Sequence, residues 1–395
     1  MEKIRQHFSN LFRMEQPRIL FLDQSGKPGG AELCLLDIAK PLRDRCLVGL
    51  LADGAFRELL EGQQIPAQIL TEQAIQIQKD SSLVQAVRSV NSLITPVLRV
   101  AKLSQGFDII YANTQKALVV GAMASLLSRK PLVYHLHDIV SPDHFSAINR
   151  QIIITLANRA SLVIANSYAT QAAYKHAGGR SPSAVVYNGF DLSTYESCRT
   201  ERSTLRPQLG FDAQFVIGHF SRLAPWKGQH ILIEALQWCP QEVVAVFVGD
   251  ALFGEQAYVA KLHQQIEQLG LGDRVKFLGF RSDVPPLMTA CNLVVHTSTA
   301  PEPFGRVIAE AMLCGTPVIA AGAGGAVELI EHGRTGWLSS PGDANKLADL
   351  IGYCYQNSKD MEVIADYAQQ SAHNRFNLLG TNQQINHLLQ QIYLE

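Results

Sequence analysis

The chain has 395 residues, 47% hydrophobic and 17% charged, with a formal net charge of −1. This is an ordinary soluble composition at a length beyond what one hydrophobic core organises, so two domains are expected. No run of ~18 or more apolar residues is present, which excludes a transmembrane helix on sequence grounds. Residues 1–16 carry Lys3, Arg5, His7 and Arg13 without a continuous apolar stretch, so they are not a signal peptide. Ile4, Phe8, Leu11 and Phe12 fall at helical spacing and predict a short docked amphipathic helix, with a membrane-surface anchor as the alternative.

Residues 18–23 (RILFLD) predict a buried strand, followed by a Gly-rich turn and a helix over about 31–42. Further short apolar runs at 46–53, 65–70, 108–113, 131–136 and 161–166 alternate with helical stretches, the pattern of a parallel sheet covered on both faces. Among these stretches, 82–104 predicts an amphipathic helix with Leu83, Val87, Val90, Ile94, Val97, Leu98 and Ala101 along one side, packed on its own sheet, with contact to a membrane as the alternative. The polar segment 188–206 predicts an interdomain linker. After Pro207 the pattern restarts with strands at 214–220, 243–249, 275–279, 292–297 and 316–320. The expected division is therefore an N-terminal Rossmann-like domain over 1–195 and a C-terminal one over 207–374.

The charge is uneven. Residues 1–195 carry 20 Lys and Arg against 15 Asp and Glu, and the remainder 14 against 20. A basic first half suits an anionic acceptor or bilayer, with random surface drift as the plain alternative. The seven cysteines form no Cys-x-x-Cys pair and read as reduced cytosolic thiols.

Chemistry concentrates in three places. In 300–317 (APEPFGRVIAEAMLCGTP) two prolines keep Glu302 in a loop, and Gly305 opens an apolar helical run. The free N–H groups at that helix start suit a diphosphate. Glu310 sits inside the run, where ribose hydroxyls would satisfy a carboxylate that is costly to bury bare. In 219–230 (HFSRLAPWKGQH) Arg222 and Lys227 follow the end of a strand, where ligands bind in open α/β sheets, and offer a complementary pair of cations for a diphosphate. In 134–138 (YHLHD) His135 and His137 are expected to face opposite sides of a strand. No third ligand lies at a recognisable spacing and no Asp-x-Asp occurs, so no built-in metal site is expected. The 26–32 turn, with Gly29 and Gly30, is neither a dinucleotide fingerprint nor a P-loop, though it allows close backbone approach to a ligand.

In order, these pieces resemble the retaining family-4 glycosyltransferases of the GT-B fold. The resemblance rests on Gly29-Gly30-Ala31-Glu32, His137-Asp138, the 185–191 segment VVYNGFD, Ser221-Arg222-Leu223 with Lys227-Gly228, Phe277-Leu278-Gly279-Phe280, Glu302 with Glu310, Gly315-Thr316-Pro317, and Gly324-Gly325 with Glu328. It implies an α/β fold of two Rossmann-like domains facing across a deep cleft, with a last helix over about 375–395 crossing back to the first domain. The implied reaction is retaining transfer of a hexose-type sugar from a UDP- or GDP-sugar to a hydroxyl acceptor, a glycan or lipid-linked intermediate of polysaccharide biosynthesis.

By the same resemblance, His137, Arg222, Lys227 and Glu302 form the catalytic group. Gly29, Gly30, Arg281, Phe304, Gly305, Arg306, Val307 and Glu310 bind the donor. The nucleotide-sugar is a substrate, no cofactor or essential metal is implied, and no nucleic-acid partner is expected. The expected location is cytoplasmic, with peripheral contact at the inner membrane face through the basic domain. Pro303 stands where the family commonly has glycine and removes one N–H donor. Two rivals share the cleft: a GT-B sugar-nucleotide epimerase, and a regulatory protein that binds the nucleotide-sugar without turning it over.

Overall fold

The computed structural model describes residues 16–24, 28–71, 83–196, 205–207, 210, 213–251 and 254–395, with backbone only for 83–92. The amphipathic pattern of residues 1–15 and the Gly26-Lys27 part of the first turn lie outside them.

Seven parallel strands form the first sheet: β1 (Ile19–Asp23), β2 (Cys46–Leu50), β3 (Ala67–Ile69), β4 (Ile109–Ala112), β5 (Leu132–Leu136), β6 (Leu162–Ala165) and β7 (Ser183–Val185), in the order β3-β2-β1-β4-β5-β6-β7. Six parallel strands form the second: β8 (Phe215–Phe220), β9 (Val243–Val248), β10 (Val275–Gly279), β11 (Leu293–His296), β12 (Val318–Ala321) and β13 (Trp337–Ser339), in the order β10-β9-β8-β11-β12-β13. Both sheets reverse their winding beside their first strand, between β1 and β4 and between β8 and β11. A doubly wound sheet opens a ligand crevice at the carboxyl ends of its strands at such a switch point.

The helices of the first half are α1 (Gly30–Ala39), α2 (Ala55–Gly62), α3 (Leu83–Leu103), α4 (Gln115–Ser128), α5 (Ala147–Ala157), α6 (Tyr168–His176) and the short α7 (Ser193–Glu196). Those of the second are α8 (Gln229–Ala235), α9 (Gln256–Gln268), α10 (Val284–Ala290), α11 (Arg306–Leu313), α12 (Ala326–Leu329), α13 (Ala344–Gln356), α14 (Ser358–Arg375) and α15 (Leu378–Leu394).

Alternate residues of the first sheet serve two cores. Leu20, Leu22, Ile110, Ala112, Tyr134 and Leu136 pack with α3, α4 and α5 on one face. Ile19, Phe21, Tyr111 and Val133 pack with α1 and α2 on the other, together with Ile385 and Leu389 of α15. Asn382 Nδ2 donates to Asp37 O (3.2 Å) and Thr381 Oγ1 to Tyr187 O (3.2 Å), fixing α15 on the first domain.

In the described part of α3, the stripe expected from sequence divides. Val97 is buried, as is Val100 outside that stripe, whereas Ile94 and Leu98 are about half exposed (49% and 56%).

Candidate active site

The site is built where the two switch points face each other. At the end of β8 the chain runs through Ser221 and Arg222 to Lys227 and then turns at Gly228, with φ +72°. At the end of β11 it enters the loop carrying Glu302. Thr297 Oγ1 lies 2.9 Å from the carbonyl of Lys227 and 2.8 Å from that of Gly228, which ties the two loops together.

Lys227 Nζ donates to both Glu302 oxygens (3.1 and 2.9 Å). His296 Nε2 donates to Oε2 (3.1 Å), and so does Ser298 Oγ (2.9 Å). Burial alone would raise the Glu302 carboxyl, but the Lys227 charge and the hydrogen bonds from His296 and Lys227 outweigh it. The carboxyl is held far below its ordinary range and stays ionised. His296 and Ser298 carried no sequence motif; only their position at the end of a strand beside a switch point could have flagged them. Trp226 is near both cations, with Lys227 Nζ 4.0 Å and Arg222 Cζ 5.9 Å from its ring centroid. Arg222 also reaches Glu255 at 3.5 Å.

Glu302 is positioned from beneath by two glycines. Gly324 has φ +64°, and a Cβ there would sit 2.3 Å from Glu302 O; a Cβ on Gly325 would sit 2.5 Å from Pro303 O. Gly325 N donates to Glu302 O at 2.6 Å. Gly305, at φ +98°, starts α11. Within α11, Arg306 Nε lies 3.6 Å from Glu310 Oε1. Burial raises the Glu310 carboxyl, while Arg306 pulls it down. Phe304 is buried, and Val307 packs on the same core.

The first domain meets this loop directly. His144 Nε2 donates to Pro301 O (2.9 Å), and Ser167 Oγ (2.5 Å) and Thr170 Oγ1 (3.2 Å) donate to Pro303 O. Glu328 accepts from the first N–H groups of α6, Tyr168 N (2.9 Å) and Ala169 N (2.7 Å), and from the Tyr187 hydroxyl (3.0 Å). Pro303 thus lacks a donor for a ligand, but its carbonyl is the docking point of the opposite domain. A Cβ on Gly30 would lie 3.1 Å from Arg306 Cδ, so this glycine lets the arginine cross the cleft. Gly29 N donates to Glu32 Oε2 (2.9 Å), which caps the start of α1. The Arg306 guanidinium stacks over Phe190 at 4.6 Å, and its Nη1 is buried without a hydrogen-bond partner among the described residues.

The expectation for His135 and His137 is corrected. Residues i and i+2 of a strand share a face, and the two rings lie 3.9 Å apart. Cys34 of α1 joins them, so that one ligand-type atom of each lies within 4.8 Å of the others. Spacing along the chain could not show this third member. Each group has a protein partner: Cys34 Sγ donates to Asn188 Oδ1 (3.4 Å), His135 Nδ1 meets the Tyr111 hydroxyl (2.7 Å) and His137 Nε2 donates to Asn113 Oδ1 (2.9 Å). Asn113 Nδ2 in turn donates to Asp23 (2.7 Å), which orients the amide and through it the His137 ring. Burial, with Arg306 nearby, lowers His137 to about 3, so it is neutral at pH 7. Burial pushes the Cys34 thiol up to about 12.

The fold therefore brings Gly30, Lys227, Glu302, Arg306, Glu310 and His137 together around one cleft. Arg281, just after β10, pairs with Asp283 through bonds of 2.8 and 2.6 Å.

Asp37, on α1, faces Arg306 and Lys40. Burial raises its carboxyl to about 6 against the opposing pull of those cations, and Asp191 and Glu310 push it the same way as burial. A carboxyl that binds its proton more tightly in the folded state loses stability as pH rises from about 4 to 6. Asp37→Asn is expected to flatten that slope and raise stability at pH 7.5 by about 1–2 kcal/mol. Thermal melts of both proteins between pH 4 and 8 check it; an unchanged slope would contradict the assignment.

Residues 28–194 match the Glycosyltransferase Family 4 and residues 201–371 the Glycosyl transferases group 1. The solved structure of Anabaena Alr3699/HepE in complex with UDP-glucose is 58% identical, with a TM-score of 0.88, over 94% of this chain and 99% of that one. Spore coat protein SA of Bacillus subtilis (strain 168) is 33% identical over 213 residues, 50% of this chain and 55% of that protein. D-inositol 3-phosphate glycosyltransferase of Mycobacterium sp. (strain KMS) is 30% identical over 260 residues, 62% of this chain and 58% of that protein. The chain thus spans a little over half the length of the curated relatives it matches, but nearly all of the Anabaena structure. Two parallel Rossmann-like sheets with facing switch points, both halves matched in order, place this chain in the family-4 (group 1) glycosyltransferases of the GT-B fold.

Proposed function

We propose that this protein transfers glucose from UDP-glucose to a hydroxyl acceptor, with retention at the anomeric carbon and without an essential metal. The observation that carries the reading is the Lys227–Glu302 pair at the second switch point, in a chain 58% identical to one whose structure holds UDP-glucose. Breaking the sugar–phosphate bond builds negative charge on the departing diphosphate. Lys227, Arg222 and the N–H groups that open α11 stabilise that charge. Glu302, kept ionised by its surroundings, accepts from sugar hydroxyls, and Glu310 accepts from the ribose. Neutral His137, its Nε2–H held by Asn113, accepts through Nδ1 from a sugar hydroxyl across the cleft, and Gly30 admits the donor backbone-close. The leaving phosphate takes the acceptor proton on the same face, which accounts for retention without a protein nucleophile. The acceptor is a glycan or a lipid-linked intermediate handled at the cytoplasmic side.

Ligand that binds only the folded state raises its melting temperature. UDP-glucose is expected to raise it, and GDP- and ADP-glucose are not, with the same result in EDTA. A shift with GDP-glucose equal to that with UDP-glucose overturns the base assignment. UDP-glucose consumed without a new glycosidic bond, in the presence of candidate acceptors, favours the epimerase reading instead. Proton coupling at the new anomeric centre reads retention directly.

A further inference from the structure

Three side chains that meet at the end of β5 carry chemistry that glycosyl transfer leaves unused. Cys34 comes from α1, His135 from β5 and His137 from just past that strand. One ligand-type atom of each lies within 4.8 Å of those of the other two. Cys34 and His135 are 3% and 1% exposed, whereas His137 is half-buried. Only His137 of the three reaches solvent, so an ion enters from the cleft past its ring.

The bonds around the two rings are those of metal-ligating histidines. Such a ring binds its ion through one nitrogen and is held by a neighbour through the other. The Tyr111 hydroxyl lies 2.7 Å from His135 Nδ1, and Asn113 Oδ1 lies 2.9 Å from His137 Nε2. His135 Nε2 and His137 Nδ1 are thereby the open nitrogens. His135 Nε2 is buried with no hydrogen-bond partner among the described residues. A buried polar atom in that state is rare and costly, and a bound ion or water relieves it. Cys34 Sγ makes a long bond to Asn188 Oδ1 (3.4 Å), which a metal–sulfur bond replaces at little cost. Burial keeps the thiol protonated against the pull of Arg306. A binding ion therefore displaces that proton, which passes to solvent.

We propose that Cys34, His135 and His137 bind one zinc ion in the wall of the donor cleft, and that ion and donor exclude one another. Two imidazoles and a thiolate suit zinc and leave a fourth position for water. With no carboxylate among them, they do not suit magnesium or calcium. Tetrahedral ligands at about 2.0–2.3 Å from zinc stand roughly 3.3–3.6 Å apart, so the cluster tightens by about an ångström at its widest. The exclusion follows from one shared atom. The ion takes His137 Nδ1, which accepts the sugar hydroxyl when the donor is bound. Zinc is thus an inhibitor of a transfer that itself needs no metal. The exclusion rests on the donor reading above; the ion site does not.

Cobalt(II) is the probe for the test, because its bond to a thiolate gives a near-ultraviolet charge-transfer band that zinc abolishes by displacing it. Titration of the full chain is expected to raise this band until about one cobalt is bound per chain. Cys34→Ser removes the band, and Tyr111→Phe weakens cobalt binding about tenfold or more by freeing the His135 ring. Both variants should keep the parent's circular dichroism and cooperative melting, which shows that they fold. Saturating UDP-glucose is expected to weaken cobalt binding about tenfold, and zinc to reduce the melting-temperature shift with UDP-glucose, the same coupling seen from either ligand. A parent without the band overturns the site. So does a band that persists in Cys34→Ser, since the ion then sits elsewhere. Cobalt binding unchanged at donor concentrations that saturate the melting shift overturns the exclusion. A donor that gives no melting shift in EDTA is the failure of the donor reading instead; the exclusion falls with it, and the cobalt band still decides the site.

Discussion

Lys227→Ala is expected to lower kcat by about two to three orders of magnitude, the cost of removing one preorganised charge from a developing anion. Two effects coincide at this residue. The diphosphate loses a cation that is already in place, held over Trp226 at 4.0 Å from the ring centroid. Glu302 also loses its main counter-charge while His296 and Ser298 remain, so a buried carboxylate becomes undercompensated. Breaking one side of a buried pair typically costs about 3–5 kcal/mol, and this side is 15% exposed at Lys227 and 12% at Glu302. Lys227→Arg keeps the charge and should recover part of kcat; Lys227→Met keeps the length only and should not. Steady-state kinetics on the three variants, beside their circular dichroism, separates lost catalysis from lost fold. A Lys227→Ala enzyme within threefold of the parent would remove the residue from the chemistry.

Gly228→Ala is expected to be the most damaging single-methyl change near the cleft. At φ +72° an L side chain is strained whatever its surroundings. The added Cβ would in addition lie 2.0 Å from the carbonyl oxygen of Thr297, a backbone atom that cannot rotate away. Relief requires the β8 and β11 loops to part, and with them Lys227 from Glu302. A loss of about 2–4 kcal/mol of stability is expected, together with a raised KM for the donor. Urea unfolding and initial-rate kinetics measure the two. Gly270→Ala is the control: its φ is +64° with nothing within 4 Å of the added carbon, so it carries only the conformational cost.

Much of the architecture was legible because both sheets are buried on both faces and their central strands are continuous apolar runs. β7 and β13 were not expected from sequence. Each has three residues and lies at a sheet edge, and β7 is only half buried, so neither presents a run long enough to read. The Glu302–Glu310 and Arg222–Lys227 segments stood out because charged groups beside prolines and glycines are conspicuous at strand ends. What sequence could not supply was partnership. That Lys227 bonds Glu302, that Cys34 lies beside two histidines a hundred residues away, and that Ser167 and Thr170 hold Pro303 all follow from strand order, which no local pattern encodes. The outward-facing Ile94 and Leu98 were misassigned for a related reason. Helical periodicity identifies an apolar stripe but not its angular limits, and these residues lie beyond the edge that the core covers.

The seating of α15 bears on how the chain acquires its shape during synthesis. Ile385 and Leu389 close a core that includes Ile19, Phe21, Leu35 and Ile38, more than 340 residues earlier. At a ribosomal pace of about 5–20 residues per second, the first domain emerges many seconds before the helix that covers it. Throughout that interval the groove on β1 and α1 shows its apolar side to the cell. Domain-by-domain folding from the amino terminus, the usual order, therefore cannot finish here: the domain made first is the one completed last.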